Sequence, residues 1–169
     1  ESNRSWIPIV SPNCTFERDL CAWTQDDTDD FDWTRHTGPT DSHGTGPMQS
    51  YAGLYHLYAE SSAPRTPGER ACIVSPFIET SFVHSFRFYY HMAGKDVGAL
   101  SVYHNGNKVW ELLGQQQQAA DSFRFADVAF DTPGKLSICA TVGSSWQGDI
   151  ALDNIEFSAQ PTAQPTAQP

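Results

Sequence analysis

The stretch Cys14–Trp33, CTFERDLCAWTQDDTDDFDW, is the part of the chain that decides the fold. Its two cysteines bracket a short loop, and four aromatic side chains supply large apolar surface: Phe16, Trp23, Phe31 and Trp33. Seven carboxylates stand among the same 20 residues: Glu17, Asp19, Asp26, Asp27, Asp29, Asp30 and Asp32. Like charges at this density repel one another unless a cation lies nearby. The stretch is therefore either a solvated acidic loop or a source of metal ligands.

Short strand patterns dominate the rest of the chain, and no amphipathic helix longer than about two turns is recognised. Alternation and turn signals predict eight further strands: Gly53–Glu60, Ala71–Ser75, Ser85–Met92, Ala99–His104, Lys108–Leu113, Ser122–Phe130, Leu136–Val142 and Asp149–Phe157. In Ser85–Met92 the even-numbered residues are predicted to face the core. A change of parity near Ala126–Asp127 predicts a β-bulge. Many short strands separated by turns indicate an all-β fold, a jelly-roll β-sandwich of two antiparallel sheets.

The two ends of the chain differ from its middle. Residues 159–169 repeat a Thr-Ala-Gln-Pro unit without a large apolar side chain, so we interpret them as a linker. Residues 1–13 form an N-terminal extension, in which Trp6–Val10 is a candidate edge strand. Residues 14–158 remain as one sandwich domain, long enough to bury a full core. No signal peptide is recognised, as expected of a mature fragment.

The chain is acidic throughout. Asp and Glu outnumber Lys and Arg by 20 to 10, which gives a net charge of −10. A negative surface repels phosphate backbones and anionic lipid, so nucleic-acid binding is not expected. No run of about 18 apolar residues occurs, so direct membrane insertion is not expected either. The expected partners are another protein or a second copy of the chain, with a glycan as a further candidate.

Cysteine count and sequons point to the secretory route. The four cysteines form an even set without a C-x-x-C pair, which disfavours a zinc ribbon or a thioredoxin-like site. Asn3-Arg4-Ser5 and Asn13-Cys14-Thr15 are glycosylation sequons, so Asn3 and Asn13 are candidate glycosylation sites. Together with the Thr/Pro-rich tail, these features favour a secreted glycoprotein or the ectodomain of a membrane protein.

Asp153 is the carboxylate that most needs a partner. On the last predicted strand it shares a face with Ala151, Ile155 and Phe157, and if that face is the core Asp153 is buried. An unpaired buried charge costs several kcal/mol, so it requires a cation or several hydrogen-bond donors. Arg35, shortly after Trp33, is one candidate partner.

A calcium ion is the other candidate. Calcium takes about six to eight oxygen ligands, from carboxylates, carbonyls and water. If the first and last strands are neighbours, four carboxylates are available to it: Glu17, Asp30, Asp32 and Asp153. The spacing does not match an EF-hand, so a salt bridge with ordered water remains an alternative to the metal.

Catalysis has little support in the sequence. There is no G-x-S-x-G elbow, no H-E-x-x-H and no phosphate-binding loop. Two of the six histidines, His36 and His43, lie in one polar loop without a third ligand, and surface positions are expected for them. Trp110 and Trp146 could line a sugar-binding face, but a core position is favoured. The chain is therefore expected not to be an enzyme.

Several motifs in order resemble one family. C-x-F-E at Cys14–Glu17, C-x-W at Cys21–Trp23 and QDDTDDFDW at Gln25–Trp33 resemble the opening of a MAM domain. The similarity continues through GLYHLYAESSAPRTPGERACIVSP, FRFYYHMAGKDVGALSVY and GDIALDNIEF, and so covers residues 14–158. It implies an extracellular jelly-roll module that mediates adhesion or oligomerisation without catalysis. The resemblance also implies a cation site, because some similar domains carry a cation near the residues that match Glu17, Asp32 and Asp153.

Two departures from the family pattern affect these expectations. Ser85 stands where many members have a cysteine, and Asn154 stands where an aspartate is common. The chain has Cys72 and Cys139 instead, so the second disulfide is expected at a different place. Of three possible pairings, we predict Cys14–Cys21 and Cys72–Cys139, with the second bridge on the outer face of one sheet.

The leading hypothesis is a non-catalytic extracellular adhesion or assembly module with a structural calcium site. A calcium-containing carbohydrate-binding module is the alternative from another class, because jelly rolls often bind glycans beside a structural calcium. A third hypothesis is an accessory domain of a secreted protease. Weak self-association through one face is expected under the first hypothesis, since sheet edges invite strand pairing.

Overall fold

A computed structural model describes residues 10–80 and 83–159, which form a jelly-roll β-sandwich. The strands are β1 (Thr24–Gln25), β2 (Thr34–Thr37), β3 (Tyr55–Ala59), β4 (Arg70–Val74), β5 (Val83–Met92), β6 (Ala99–His104), β7 (Asn107–Leu113), β8 (Arg124–Ala129), β9 (Leu136–Thr141) and β10 (Ile150–Ala159). The first sheet has the order β1-β4-β9-β6-β7 and the second β2-β3-β10-β5-β8, with antiparallel pairing throughout. These residues contain no helix that could cross a membrane.

The core lies between the two sheets. The even-numbered residues of β5 face it, as predicted: Phe86, Phe88, Tyr90 and Met92. Leu136, Ile138 and Ala140 of β9 face it from the other sheet. Trp110 is partly buried at the border of the core and packs edge-to-face on Phe88 at 5.3 Å, so it points inward as expected. Trp146 is 46% exposed, so the core expectation was wrong for that residue.

Strand boundaries differ from the prediction at the N-terminal side. The predicted strand Trp6–Val10 lies outside the described residues except for Val10, which is not in a strand. β1 and β2 were missed because their short sequences, TQ and TRHT, have no apolar alternation. β3 begins at Tyr55 rather than Gly53.

The β-bulge predicted near Ala126–Asp127 is absent. β8 pairs with β5 in one continuous register from Ser85 opposite Ala129 to Tyr90 opposite Arg124. Ala126 and Val128 face the core, and Phe125 is 53% exposed on the outer face. The prediction was wrong because it took Phe123 and Phe125 to lie on the same face as Val128 and Phe130, whereas the strand is apolar on both faces.

A bulge occurs instead in β10, between Asp153 and Glu156, where Asn154 has a φ of +42°. Ile150 and Leu152 face the core before the bulge, and Ile155 faces it afterwards. Asp153 pairs with Tyr89 on the opposite, outer face. The prediction that Asp153 shares a face with Ile155 and Phe157 was therefore wrong, because one extra residue reverses the alternation.

Both predicted disulfides are formed, Cys14–Cys21 and Cys72–Cys139. Cys72 and Cys139 are directly opposite on β4 and β9 and lie on the outer face, as predicted. The acidic loop covers them, since the Cys72 N–H donates to Asp29 Oδ2 at 2.6 Å. Cys14 exchanges two backbone hydrogen bonds with Ile155, at 3.0 and 2.8 Å. The first segment of the domain is therefore a neighbour of the last strand.

Candidate functional site

Residues 48–54, here called the cover segment, lie on the outer face of the second sheet. Both carboxylate oxygens of Glu17 accept the Leu54 N–H at 3.1 Å, and Oε1 accepts the Tyr55 N–H at 3.0 Å. Gly53 has a φ of +64°, and a Cβ at this position would collide with the Glu17 carboxylate. Glu17 and Gly53 together therefore fix the end of the cover segment.

Asp153 lies beneath the cover segment and is completely buried. Its Oδ2 accepts the Ala52 N–H at 3.2 Å, and its Oδ1 accepts the Asn154 N–H at 2.8 Å. Burial raises the pKa of Asp153 to about 7 against the effect of these donors, and the charge of Glu17 adds to the rise. Within the described part of the chain, Asp153 forms no ion pair. It is therefore a buried carboxylate that no cationic side chain of the described residues neutralises.

Arg35 is not the partner of Asp153, so that alternative was wrong. Its Nε donates to the Phe16 carbonyl at 2.7 Å, and its Nη2 donates to the Glu17 carbonyl at 2.6 Å. Its guanidinium stands 3.5 Å from the centroid of the Tyr55 ring. The two short hydrogen bonds fasten the segment containing Glu17 to β2, which carries Arg35, and the Tyr55 ring supports the guanidinium from β3.

The other two predicted ligands lie elsewhere. Asp30 Oδ2 accepts the Arg70 N–H at 2.8 Å, beside the outer face of the first sheet. Asp32 is exposed in the same acidic loop. Of the four predicted carboxylates, only Glu17 and Asp153 meet, at the cover segment. In residues 10–80 and 83–159, no three Asp, Glu, His or Cys side chains are grouped as metal ligands would be.

An aromatic patch lies next to the cover segment and was missed by the sequence reasoning. It consists of Tyr51, Tyr89, Phe123 and Phe125. The Tyr51 ring stacks on Tyr89 at 3.6 Å, and Tyr89 meets Phe125 at 6.3 Å. Tyr51 and Phe125 are 43% and 53% exposed, which leaves the patch open to solvent. The sequence did contain a signal for this patch. Phe123 and Phe125 occupy odd-numbered positions, opposite in parity to the core residues Ala126 and Val128 of β8.

Arg87 borders the aromatic patch with a fixed charge pair. Its guanidinium lies 3.9 Å from the Phe125 centroid and holds Asp127 with two contacts of 2.8 and 2.9 Å. The hydrogen bonds from Arg87 lower the pKa of Asp127. A cavity of about 420 Å³ adjoins this pair, and another of about 220 Å³ lies between the cover segment and residues 120–123. The patch therefore offers apolar surface with a defined polar border, as protein interfaces do.

The buried carboxylates of the second sheet are poorly placed for catalysis. Asp149 is completely buried like Asp153, and its Oδ1 accepts the Ser61 N–H at 3.0 Å. Burial raises the pKa of Asp149 to about 6. Perturbed carboxyl groups are common in active sites, but a catalytic group must reach its substrate. Neither carboxyl group is exposed to solvent, so neither can reach a substrate in this conformation.

Comparison with protein families and curated proteins gives one consistent result. The family model for the MAM domain, meprin/A5/mu, matches residues 14–162. MAM domain-containing glycosylphosphatidylinositol anchor protein 1 of Mus musculus is 35% identical over 168 residues, which cover 88% of this chain and 17% of that protein. MAM domain-containing protein 2 of Homo sapiens is 32% identical over 171 residues, which cover 95% of this chain and 24% of that protein. This chain thus spans less than a quarter of the length of these relatives.

Solved structures share the fold at low sequence identity. The K1 cleaved adhesin domain of Lys-gingipain from Porphyromonas gingivalis W83 superposes with a TM-score of 0.64 at 16% identity, covering 88% of this chain and 97% of that one. A carbohydrate-binding module studied for specific mannan recognition gives 0.50 at 15% identity, with 90% and 98% covered. Likeness at such identities shows the sandwich architecture alone.

Compartment and family follow from these findings. Two disulfides and no free cysteine among the described residues are typical of oxidising compartments. The curated relatives include glycosylphosphatidylinositol anchor proteins, and the chain is extracellular. With the family model matching most of its length, from Cys14 onward, this chain belongs to the MAM domain family.

Proposed function

We propose that this domain is a non-catalytic adhesion or assembly module that contacts another protein through the aromatic patch. The family membership supports an extracellular adhesion-type role. The observation that carries the choice of surface is the run of ring contacts from Tyr51 through Tyr89 to Phe125, with both end residues exposed. Contiguous exposed apolar surface bordered by polar groups is typical of interaction sites.

We propose that a second copy of the domain can occupy the patch weakly, so that binding depends on avidity. The net charge of −10 opposes close approach of two copies, which is consistent with a weak contact. Beads coated with the domain should therefore aggregate, while the soluble domain should show little association by light scattering except at high concentration. Absence of aggregation at every coating density would rule out self-association and leave a different protein as the partner.

Glycan binding is the second candidate function. The fold likeness to a mannan-recognising module does not transfer its ligand, but exposed aromatic rings can stack on sugars. A glycan array separates the two proposals. Saturable binding that a Tyr51→Ser change abolishes would favour the glycan-binding role.

We propose that the domain has no hydrolytic activity of its own. The absence of nucleophile and metal-protease motifs supports this, as does the burial of Asp149 and Asp153. Purified domain is expected to cleave neither peptide nor glycoside substrates. Turnover that a single Asp or His substitution removes would contradict the proposal.

We also propose one structural calcium ion between Glu17 and Asp153, with backbone carbonyls completing its ligands. Two carboxylates directed at one short segment, one of them buried and not paired with a described cationic side chain, support this site. Asp30 and Asp32 are left out of the ligand set because they stand in the acidic loop over the first sheet. Bound there, the ion would join the first segment to the last strand and have a structural role.

Glycosylation of Asn13 is a further proposal. Asn13 is exposed, and its Oδ1 accepts the Phe157 N–H at 2.8 Å. That bond leaves Nδ2, the atom that carries a glycan, directed away from the strand. Asn3, the other candidate, lies outside the described residues. A mass shift of the Asn13 peptide after glycosidase treatment tests the assignment.

A further inference from the structure

Two histidines on the outer face of the second sheet are completely buried, next to the cover segment. His56 of β3 places Nδ1 2.8 Å from Ser50 Oγ, and His91 of β5 places Nε2 3.1 Å from the Asp121 carbonyl. The remaining ring nitrogens, His56 Nε2 and His91 Nδ1, are buried and have no hydrogen-bond partner. Each ring is thus held at one end and unpartnered at the other.

The hydrogen-bond pattern fixes which nitrogen of each ring carries the proton. Ser50 Oγ lies 2.8 Å from the Leu54 carbonyl and gives its only proton to that acceptor. His56 Nδ1 must therefore donate to Ser50, so Nε2 holds a lone pair. His91 Nε2 must donate to the Asp121 carbonyl, so Nδ1 holds a lone pair. Both rings are neutral in this arrangement, and a further proton would enter at a buried atom without an acceptor.

The surroundings of the two rings offer little compensation for positive charge. From β2, the His36 ring stands 5.9 Å from His56, and ahead of β8 the Phe123 ring stands 6.3 Å from His56 and 5.4 Å from His91. The cover segment contributes the neutral Ser50. β10 contributes Asp153, whose Oδ2 already accepts a hydrogen bond from the Ala52 N–H. The Asp121 carboxylate accepts the Gln118 N–H at 2.8 Å. Its charge and the backbone carbonyls of Asp121 and Ala119 raise the pKa of His91, but burial outweighs them.

We propose that His56 and His91 form an acid-operated latch for the cover segment. While both rings are neutral, the hydrogen bond from His56 to Ser50 helps to hold the segment on the sheet. A proton on either unpartnered nitrogen must be hydrated, and hydration requires the cover segment and Phe123 to move away. Proton uptake by the two rings thus favours uncovering the sheet beneath Ser50 and Tyr51, whereas protonation of Asp153 favours the closed segment. The latch is a property of the folded domain and does not depend on the proposed partner binding.

The direction of the pH effect follows from the two states. Burial lowers the pKa of His56 from 6.5 to about 4, with His36 and His91 adding to the effect, and burial lowers the pKa of His91. In the open state the rings regain ordinary pKa values, so opening takes up protons as the pH falls below 6.5. Lowering the pH from 8 to 5 should raise the opening equilibrium about 30-fold through His56 alone.

Hydrogen exchange of the Ala52 and Leu54 amides, corrected for intrinsic rates, measures this opening without any partner. Asp153, also covered by this segment, has a raised pKa that favours closure in acid, so the histidine contribution is measured as a ratio. Between pH 8 and 5, opening of the native domain should rise about 30-fold relative to a variant without the two histidines. Two substitutions keep an N–H donor at each position but cannot take up a proton. In His56→Asn the amide Nδ2 replaces the ring Nδ1, and in His91→Gln the amide Nε2 replaces the ring Nε2. The double variant should lack this histidine contribution, while the exposed His43→Asn should show the same pH dependence as the native domain. Asp153 is present in all of these proteins, so its own titration cancels in the comparison.

Two results would overturn the latch. One is a double variant with the same pH dependence of amide opening as the native domain. The other comes from the native domain alone and does not require the variants to fold: an NMR titration in which the His56 and His91 rings both protonate near their ordinary pKa of 6.5. Failure of bead aggregation would affect the proposed function and would leave this result unchanged.

Discussion

The Ala52 N–H lies 3.2 Å from Oδ2 of Asp153, a residue 101 positions further along the chain. Two residues later, Leu54 and Tyr55 donate to Glu17, which stands 37 and 38 positions earlier in the chain. One short segment thus receives a carboxylate from the first part of the domain and another from the last strand. This arrangement is the physical basis of the calcium proposal.

Calcium is expected to stabilise the domain. Binding only to the native state should add about 2.7 kcal/mol at a hundredfold excess of calcium over its dissociation constant. Thermal melts with calcium and with EDTA measure the difference in Tm. Glu17→Gln and Asp153→Asn should abolish it, whereas Asp27→Asn, in the same acidic run but exposed, should preserve it. An unchanged Tm in EDTA, with no calcium in the purified protein, would show that the site does not exist.

Without metal, Asp153 should make the domain more stable at mildly acidic pH. Its pKa rises from 3.8 to about 7 on folding, so the folded state binds more protons between these values. The contribution of Asp153 to the free energy of unfolding therefore increases as the pH falls from about 8 toward 5. Urea denaturation in EDTA should show that increase relative to Asp153→Asn. A parallel pH dependence in both proteins would mean that the carboxyl is not perturbed.

Arg35→Lys should destabilise the domain, because an ammonium cannot reproduce the fork that bonds the Phe16 and Glu17 carbonyls or the stack on Tyr55. We expect a loss of roughly 1–3 kcal/mol in the free energy of unfolding. The exposed Arg18→Lys serves as the control and should change stability by less than about 0.5 kcal/mol. Equal effects at both positions would contradict the role given to Arg35.

Most of the fold was accessible from the sequence because its central strands alternate cleanly. Phe86, Phe88 and Tyr90 face the core as their period of two requires. The same rule failed at β10, where one extra residue at Asn154 moved Asp153 to the outer face. A bulge that depends on long-range pairing leaves no local signal in the sequence.

The candidate site was less predictable than the fold. Glu17 and Asp153 were identified from charge and strand position, and the chain brings both to the cover segment. Asp30 was assigned to the same site on proximity to Glu17 in sequence, but it bonds the Arg70 N–H on the other sheet. Phe123 and Phe125 signalled part of the aromatic patch, but Tyr51 could not be assigned to it, because Tyr51 meets Tyr89 only after the loop before β3 folds over the sheet.

Aggregation of beads coated with Phe125→Ser tests most directly whether the MAM domain associates through the aromatic patch. Phe125 is 53% exposed and lies outside the core, so its replacement should cost only about 0.5–1.5 kcal/mol, from its contacts with Tyr89 and Arg87, and leave the domain folded. The matched control is Leu113→Ser, which removes an exposed apolar residue from β7 in the other sheet. We predict that native and Leu113→Ser beads aggregate and that Phe125→Ser beads remain dispersed. Phe125→Ser beads that aggregate as the native ones do would contradict association through this face.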